Sequence, residues 1–392
     1  MHSIPEKSKL LILSYSAILC IVGFQLGGFQ LVLLSAIDEL GINRAMIGLP
    51  ITAQFISLCT MPLIFGPISD RFGKKLIIVI FIFIFVIGCL FVWQSGTVII
   101  FLAGAFIIGT GASVCDCSVN ASILDVFTGE EEKYMNFALS FFSIGAVISP
   151  LLMQALMDNF SASWRLTFLI SAVAMAAVLP AILLVRTTTG PVSKHPRKKQ
   201  KIENPRLFLG FTICVFLYVS IEACLAFFAD TIFTIELNFP AFGAWAISLF
   251  WGAMGAGRLF LGRLKSIPRH AIVVSLFCLA LIIGGIIFNR NEIVMLVLFA
   301  AAGFACSCIW PGIVNAAVAL NRTDSGALMS YLNLSGGIGG SAIPLAVGVI
   351  MDAANLTVSF LVLIVFSVIA GVYMLNKTNK TSGSYLNKQN GK

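Results

Sequence analysis

The sequence predicts an all-α polytopic membrane protein, with twelve transmembrane helices in two pseudo-symmetric six-helix bundles. Three observations carry that prediction. The 392 residues are 59% apolar and only 11% charged, with a mean hydropathy of +1.00, whereas soluble domains carry about 25% charged residues. The charges gather between apolar runs long enough to cross a hydrocarbon core, which takes about 20 residues. One such run, Leu76–Trp93, lacks the apolar–polar alternation of a barrel strand. Finally, the second half of the chain repeats the first. Ile144-Gly145, Pro150-Leu151 and Met157-Asp158 recur as Ile338-Gly339, Pro344-Leu345 and Met351-Asp352, at one shift of 194 residues.

The spans follow in order. The first, 10–34, is too long for the core of a signal peptide and lacks a cleavage pattern, so it stands as a helix. The second, 46–68, leads into Gly66–Lys75 (GPISDRFGKK), which sets glycines, a proline and four charges between two apolar runs and predicts a tight, wet turn into the third, 76–94. The fourth, 98–127, carries Asp116 and Asn120, and the fifth and sixth cover 134–157 and 164–186. Residues 187–205 form the longest loop, with Lys194, Arg197, Lys198, Lys199 and Lys201, and read as a cytoplasmic topology anchor. The seventh span, 207–233, holds Glu222. The eighth, 243–264, ends on Arg258, Gly262 and Arg263, a worn copy of the earlier turn without its acidic residue. The ninth to twelfth are 270–289, 293–319, 326–351 and 356–375. This divides the chain into a bundle at 1–186, the linker 187–205, a bundle at 206–376 and a polar tail at 377–392 that is expected to be disordered.

With the N-terminus inside, every Lys and Arg except Arg44, Arg165 and Arg290 falls in a cytoplasmic segment. Both termini are therefore expected on the cytoplasmic side of the cell membrane. The net charge of +8 sits in these short loops, which explains it as topology and argues against nucleic acid as a partner. All ten cysteines fall inside spans, where they behave as small apolar residues. Cys115 and Cys117, like Cys306 and Cys308, point to different sides of a helix, so no metal and no cofactor is expected. His2, His195 and His270 lie at cytoplasmic edges, and no catalytic set or nucleotide loop can be assembled. An enzyme is not expected, nor is a sensor, which would need a folded signalling domain.

Gly66-x-x-x-Asp70-Arg71-x-Gly73-Lys74-Lys75 resembles the signature between the second and third helices of the major facilitator superfamily. The twelve spans, basic central loop and repeated halves extend that likeness over nearly the whole chain. Within the superfamily, Gly109-Thr-Gly111 through Asp116 and Asn120, Tyr218 with Glu222, Phe250-Trp251 with Gly257-Arg258, and Ile309-Trp310-Pro311 are similar to the fucose permease type of sugar:proton symporter. Two features depart from the superfamily's branches. Gln30 stands where that permease has an aspartate. The fourth span also lacks the arginine expected of drug antiporters, and the fifth has Ser149-Pro150 in place of their Gly-Pro pair.

Ionisable residues deep in a span are expensive and mark function by default. Asp116, with Asn120 one turn on, is the expected proton-coupling carboxylate, and Glu222 is a second titrating group or an acceptor for substrate hydroxyls. Gln25, Gln30, Gln54, Asn120, Tyr218, Trp310 and Asn333 are candidates for a polar cavity around substrate. The shift of 194 residues puts Trp310 where the first half has Asp116, as an aromatic surface for stacking. Gly66, Asp70, Arg71, Gly73, Lys74 and Arg258 form the candidate cytoplasmic gate, with Asp70 meeting the next bundle around Ser325–Ala327. The glycines of 336–340, and Gly145 with Pro150, allow close helix approach for gating or for static packing. The leading expectation is a monomeric secondary transporter that couples uptake of a small polar solute, a sugar, to protons or sodium. Proton-coupled efflux of an amphipathic compound is the alternative; the 33 phenylalanines speak for it.

Overall fold

The computed structural model describes residues 6–127, 131–184, 205–261, 269–318 and 325–389. The central basic loop, together with Gly262 and Arg263, lies outside them. Twelve helices of the described residues are long and apolar enough to cross a membrane. They are α1 (Glu6–Leu40), α2 (Gly48–Phe72), α3 (Lys74–Trp93), α4 (Val98–Val126), α5 (Glu131–Phe160), α6 (Leu166–Leu184), α7 (Pro205–Thr231), α8 (Gly243–Leu261), α9 (Arg269–Phe288), α10 (Glu292–Val318), α11 (Ser325–Ala353) and α12 (Leu356–Gln389). Without water in a bilayer to satisfy the backbone, helix is what such runs must form.

The helix starts are written locally. Thr97 accepts from Ile100 N at the head of α4, Asn291 accepts from the amides of Ile293 and Val294 at α10, and Asn355 accepts from Val358 N at α12. The α2–α3 turn is much shorter than Gly66–Lys75. Helix runs through Phe72 and resumes at Lys74, and Gly73, at φ +97°, is the whole break. That φ lies where an L side chain clashes with its own backbone. Gly66 is therefore inside α2, and Asp70 is in its last turn, with its side chain outside the described residues. The tail also differs from its expected disorder, because α12 continues to Gln389. The stretch 377–389 contains no proline, and extending an established helix is far easier than starting one.

The sequence repeat is a packing repeat. Within the first bundle α5 packs on α1, α4 on α2 and α3, and α6 on α3; α11 on α7, α10 on α8 and α9, and α12 on α9 repeat this in the second. The contacts correspond residue by residue. Gly145 lies against Cys20 O and Gly339 against Phe216 O; Gly109 lies against Gln54 O and Gly303 against Phe250 O. Cys115 Sγ points at Ile78 O and Cys308 Sγ at Ala271 O, each partner 37 residues back.

Two clamps hold the ends of the first bundle. At the basic end, Lys74 is buried, donates to Ala121 O and pairs with Asp125, which ties α3 to α4. Lys75 donates to Leu183 O at the end of α6. At the far end, Glu39 accepts from Trp164 Nε1 and Arg165 Nη1, both at 2.6 Å, and Arg165 also donates to Ser95 O.

The two bundles meet along α2–α11, α5–α8 and α1–α7. Gly48 lies on the backbone of Leu345, Thr52 Oγ1 donates to Ser341 O at 2.6 Å, and Ser248 Oγ donates to Val147 O at 2.8 Å. Phe227 packs edge-on to Phe29 and Phe55, and Trp251 Nε1 donates to Gln30 Oε1 at 2.8 Å. These contacts run from the far end to just past the helix midpoints, ending at Cys59 against Gly337 and Ser143 against Gly255. Among the described residues, packing between α4 and α10 is at most marginal. Among the described residues, the bundles are joined from the far end to the helix midpoints, and none of these contacts lies nearer the basic end.

Candidate functional site

Asp116 is half-buried on α4, in the membrane-spanning part of the helix. Asn120 Nδ2, one turn on, donates to its Oδ1 at 3.0 Å, and Asn120 Oδ1 is itself buried without a partner. No cation lies against the carboxylate among the described residues. Asp116 is thus a carboxyl group held by a neutral amide within the span. Such a group can exchange a proton without first breaking an ion pair.

The second bundle holds a different cluster. Tyr218 is buried on α7 and donates from its hydroxyl to Cys306 O of α10 at 3.1 Å. Glu222 is half-buried one turn further and lies against the Tyr218 phenol. Arg258 of α8, read in the sequence as part of a gate, is half-buried and lies within electrostatic reach of Glu222, Tyr218 and Cys306. The backbone explains why. Gly257 rests on Ser307 of α10, so the next residue emerges at the level of the middle of α10 rather than at the α8–α9 turn.

The remaining candidates are placed as follows. Gln25 and Gln54 are buried inside the first bundle, where Gln54 Nε2 donates to Gln25 Oε1 at 3.0 Å; the other amide atom of each has no partner. Gln30 is buried and tied to Trp251 across the seam. Trp310 is half-buried, with its ring edge toward Gly336 of α11, and Asn333 is exposed. Of the gate residues, Arg71 is exposed beside the Phe72 ring, Gly73 makes the turn and Lys74 is committed to Asp125. The side chains of Asp70 and of 325–330 lie outside the described residues.

Sequence reasoning missed the seam. Trp251, Phe227, Thr52, Ser248 and Cys59 join the bundles, yet each reads alone as an ordinary span residue. The available signal was the glycine run of α11, whose two faces divide the work. Gly336 and Gly339 lie against α7 within the bundle, while Gly337 and Gly340 lie against Cys59 and Phe55 of α2 across it. Residues three apart share a helix face, so this doubled spacing marks one helix packed closely on two sides.

Comparison with known proteins agrees with this architecture. The model of the Major Facilitator Superfamily matches residues 15–288 and 211–390. The uncharacterized MFS-type transporter YdgK of Bacillus subtilis (strain 168) is 23% identical over 265 residues, which are 62% of this chain and 65% of that protein. The multidrug resistance protein MdtL of Escherichia coli O81 (strain ED1a) is 26% identical over 188 residues, 47% of this chain and 48% of its own length. The matches therefore span between about half and two-thirds of these curated relatives. The crystal structure of the POT family transporter PepTSo superposes with a TM-score of 0.73 at 15% identity, covering 98% of this chain and 99% of that one; this similarity concerns the fold. With twelve membrane-spanning helices, two repeated bundles and a family match running nearly end to end, the chain belongs to the Major Facilitator Superfamily, the multi-pass membrane carriers of small molecules.

Proposed function

We propose that the protein exports an amphipathic organic compound across the cell membrane in exchange for protons, by alternating access, with Asp116 as the proton-carrying group. The basic end is taken as cytoplasmic by the positive-inside rule. One observation carries the choice of substrate. The amides and the phenol that would bind a sugar are mostly committed to the protein: Gln30 to Trp251, Tyr218 to Cys306 O, and Gln25 and Gln54 to each other inside the first bundle, with one buried atom of each left unmatched. Sugar recognition needs several free directional partners, because unmet hydroxyls are costly to bury. An amphipathic solute needs apolar surface and one or two polar contacts, which Trp310, Asp116 and the Glu222–Arg258 cluster supply. The name of MdtL points the same way.

The test uses everted membrane vesicles with an acidified interior, offered radiolabelled 1-naphthoate, 1-naphthamide or fucose. Export appears as gradient-dependent accumulation of a naphthyl probe. Passive distribution cannot mimic it for naphthoate, since a weak acid leaves an acidic compartment. Accumulation of fucose in right-side-out vesicles, with no movement of either naphthyl probe, would restore the sugar reading.

A further inference from the structure

Arg258 is the one strongly basic side chain whose charge reaches the middle of the second bundle among the described residues, and it makes neither a hydrogen bond nor an ion pair there. Counting along α8 and α10 at 1.5 Å per residue puts Arg258 and Cys306 roughly 22 Å from the far end, inside a hydrocarbon core of about 30 Å. A guanidinium is not left unmatched at that depth without a reason. Snorkelling to the cytoplasmic surface is the bland account. It does not fit, because Gly257 rests on Ser307 at the middle of α10, which sets the half-buried Arg258 at that depth, within electrostatic reach of Tyr218, Glu222 and Cys306. Glu222 is near enough to act on Arg258 electrostatically yet stays beyond ion-pair contact. The guanidinium keeps its donors open.

We propose that Arg258 is the anchor for a carboxylate on the exported compound, so that the protein selects amphipathic monoanions over their neutral or cationic analogues. A guanidinium presents two parallel N–H groups that match the two oxygens of a carboxylate, a fit an ammonium or a neutral amide cannot give. Tyr218 and Cys306 lie buried behind the site in α7 and α10, and Trp310, one turn beyond Cys306, lends an aromatic face to the apolar part of the ligand. Glu222 sets the limit of one charge. Its carboxylate shares the Arg258 field, so it opposes an incoming anion and competes for the guanidinium. The proposal rests on the export reading for its place in a cycle, but recognition by Arg258 can be measured without any transport.

The experiment measures equilibrium binding of 1-naphthoate, 1-naphthamide and 1-naphthylmethylammonium to the detergent-purified full chain by ligand fluorescence. Wild type is expected to prefer naphthoate to naphthamide by about tenfold or more, the range of a charge-assisted pair. Arg258→Gln should bring that ratio to within about twofold, with an unchanged circular dichroism spectrum and thermal midpoint showing that the fold is intact. Arg258→Lys should retain part of the preference, and Glu222→Gln should raise naphthoate affinity by about threefold or more. A wild type that binds the amide or the ammonium as well as the carboxylate overturns the proposal, as does an anion preference that survives in Arg258→Gln. Failure of the vesicle experiment with this binding pattern intact would remove export and leave the anion site standing.

Discussion

Gly337→Ala should force the far-end seam apart. A Cβ added at Gly337 would lie 1.3 Å from Cys59 Sγ and 2.6 Å from Cys59 Cβ. Rotating the thiol relieves the first clash at the loss of its hydrogen bond to Phe55 O at 2.7 Å. The second clash involves an atom fixed to the α2 backbone, so α2 and α11 must part by roughly 1 Å or the state must be abandoned. Overpacking of this kind costs about 1–3 kcal/mol, which is a factor of about 5–150 in the population of the present state. The reporter is already in place. Cys59 is buried in the seam, Cys278 is exposed, and Cys89 and Cys115 are buried within the bundles. Peptide mapping after N-ethylmaleimide treatment should show Cys59 labelling faster in Gly337→Ala by that factor relative to Cys278, with Cys89 and Cys115 unmoved. Labelling of Cys59 at the wild-type rate, in a variant that still folds, would refute the claim that this contact helps hold the seam closed.

Other consequences are smaller in scope. Trp251→Phe removes the donor to buried Gln30 Oε1 and leaves that oxygen unmet, a cost of about 1–3 kcal/mol; Cys59 labelling should rise, and adding Gln30→Leu should bring it back part of the way. Lys74→Met strands Asp125 beside α4. Their side chains are 6% and 31% exposed, so the loss is put at about 1–2 kcal/mol, below that of a fully buried pair. It should be read from the thermal midpoint, with Lys74→Met/Asp125→Leu recovering most of it. Gly73→Ala places a side chain at φ +97° and should cost about 1–2 kcal/mol, seen as faster tryptic cleavage after Arg71; unchanged cleavage would mean the turn has another conformation available.

Much of the fold is legible in the residues because it follows from solvent. A bilayer admits only long apolar helices, so their number and order can be counted from hydropathy, and the Pro150/Pro344 register announces the two halves. The charges predict a longer α2–α3 turn than the fold has, because charged residues such as Asp70 and Arg71 are also at home in a last helical turn at the membrane surface. The candidate site was less legible. A buried glutamine advertises polarity and not its partner, so Gln25, Gln30 and Gln54 read alike while the fold gives them to Gln54, Trp251 and Gln25. Arg258 has two readings that only geometry distinguishes. Its neighbours in sequence echo a surface turn, while Gly257 packs on Ser307 at the middle of α10 and puts Arg258 within electrostatic reach of Glu222. Only three-dimensional register separates those two outcomes.

The central claim is that proton movement through Asp116 drives export. In everted vesicles with an acidic interior, wild type should accumulate 1-naphthoate and release it when the gradient is collapsed. Asp116→Asn should exchange labelled for unlabelled naphthoate at nearly the wild-type rate and accumulate none. Accumulation by Asp116→Asn to the wild-type level, or wild-type accumulation indifferent to collapse of the gradient, would contradict the account.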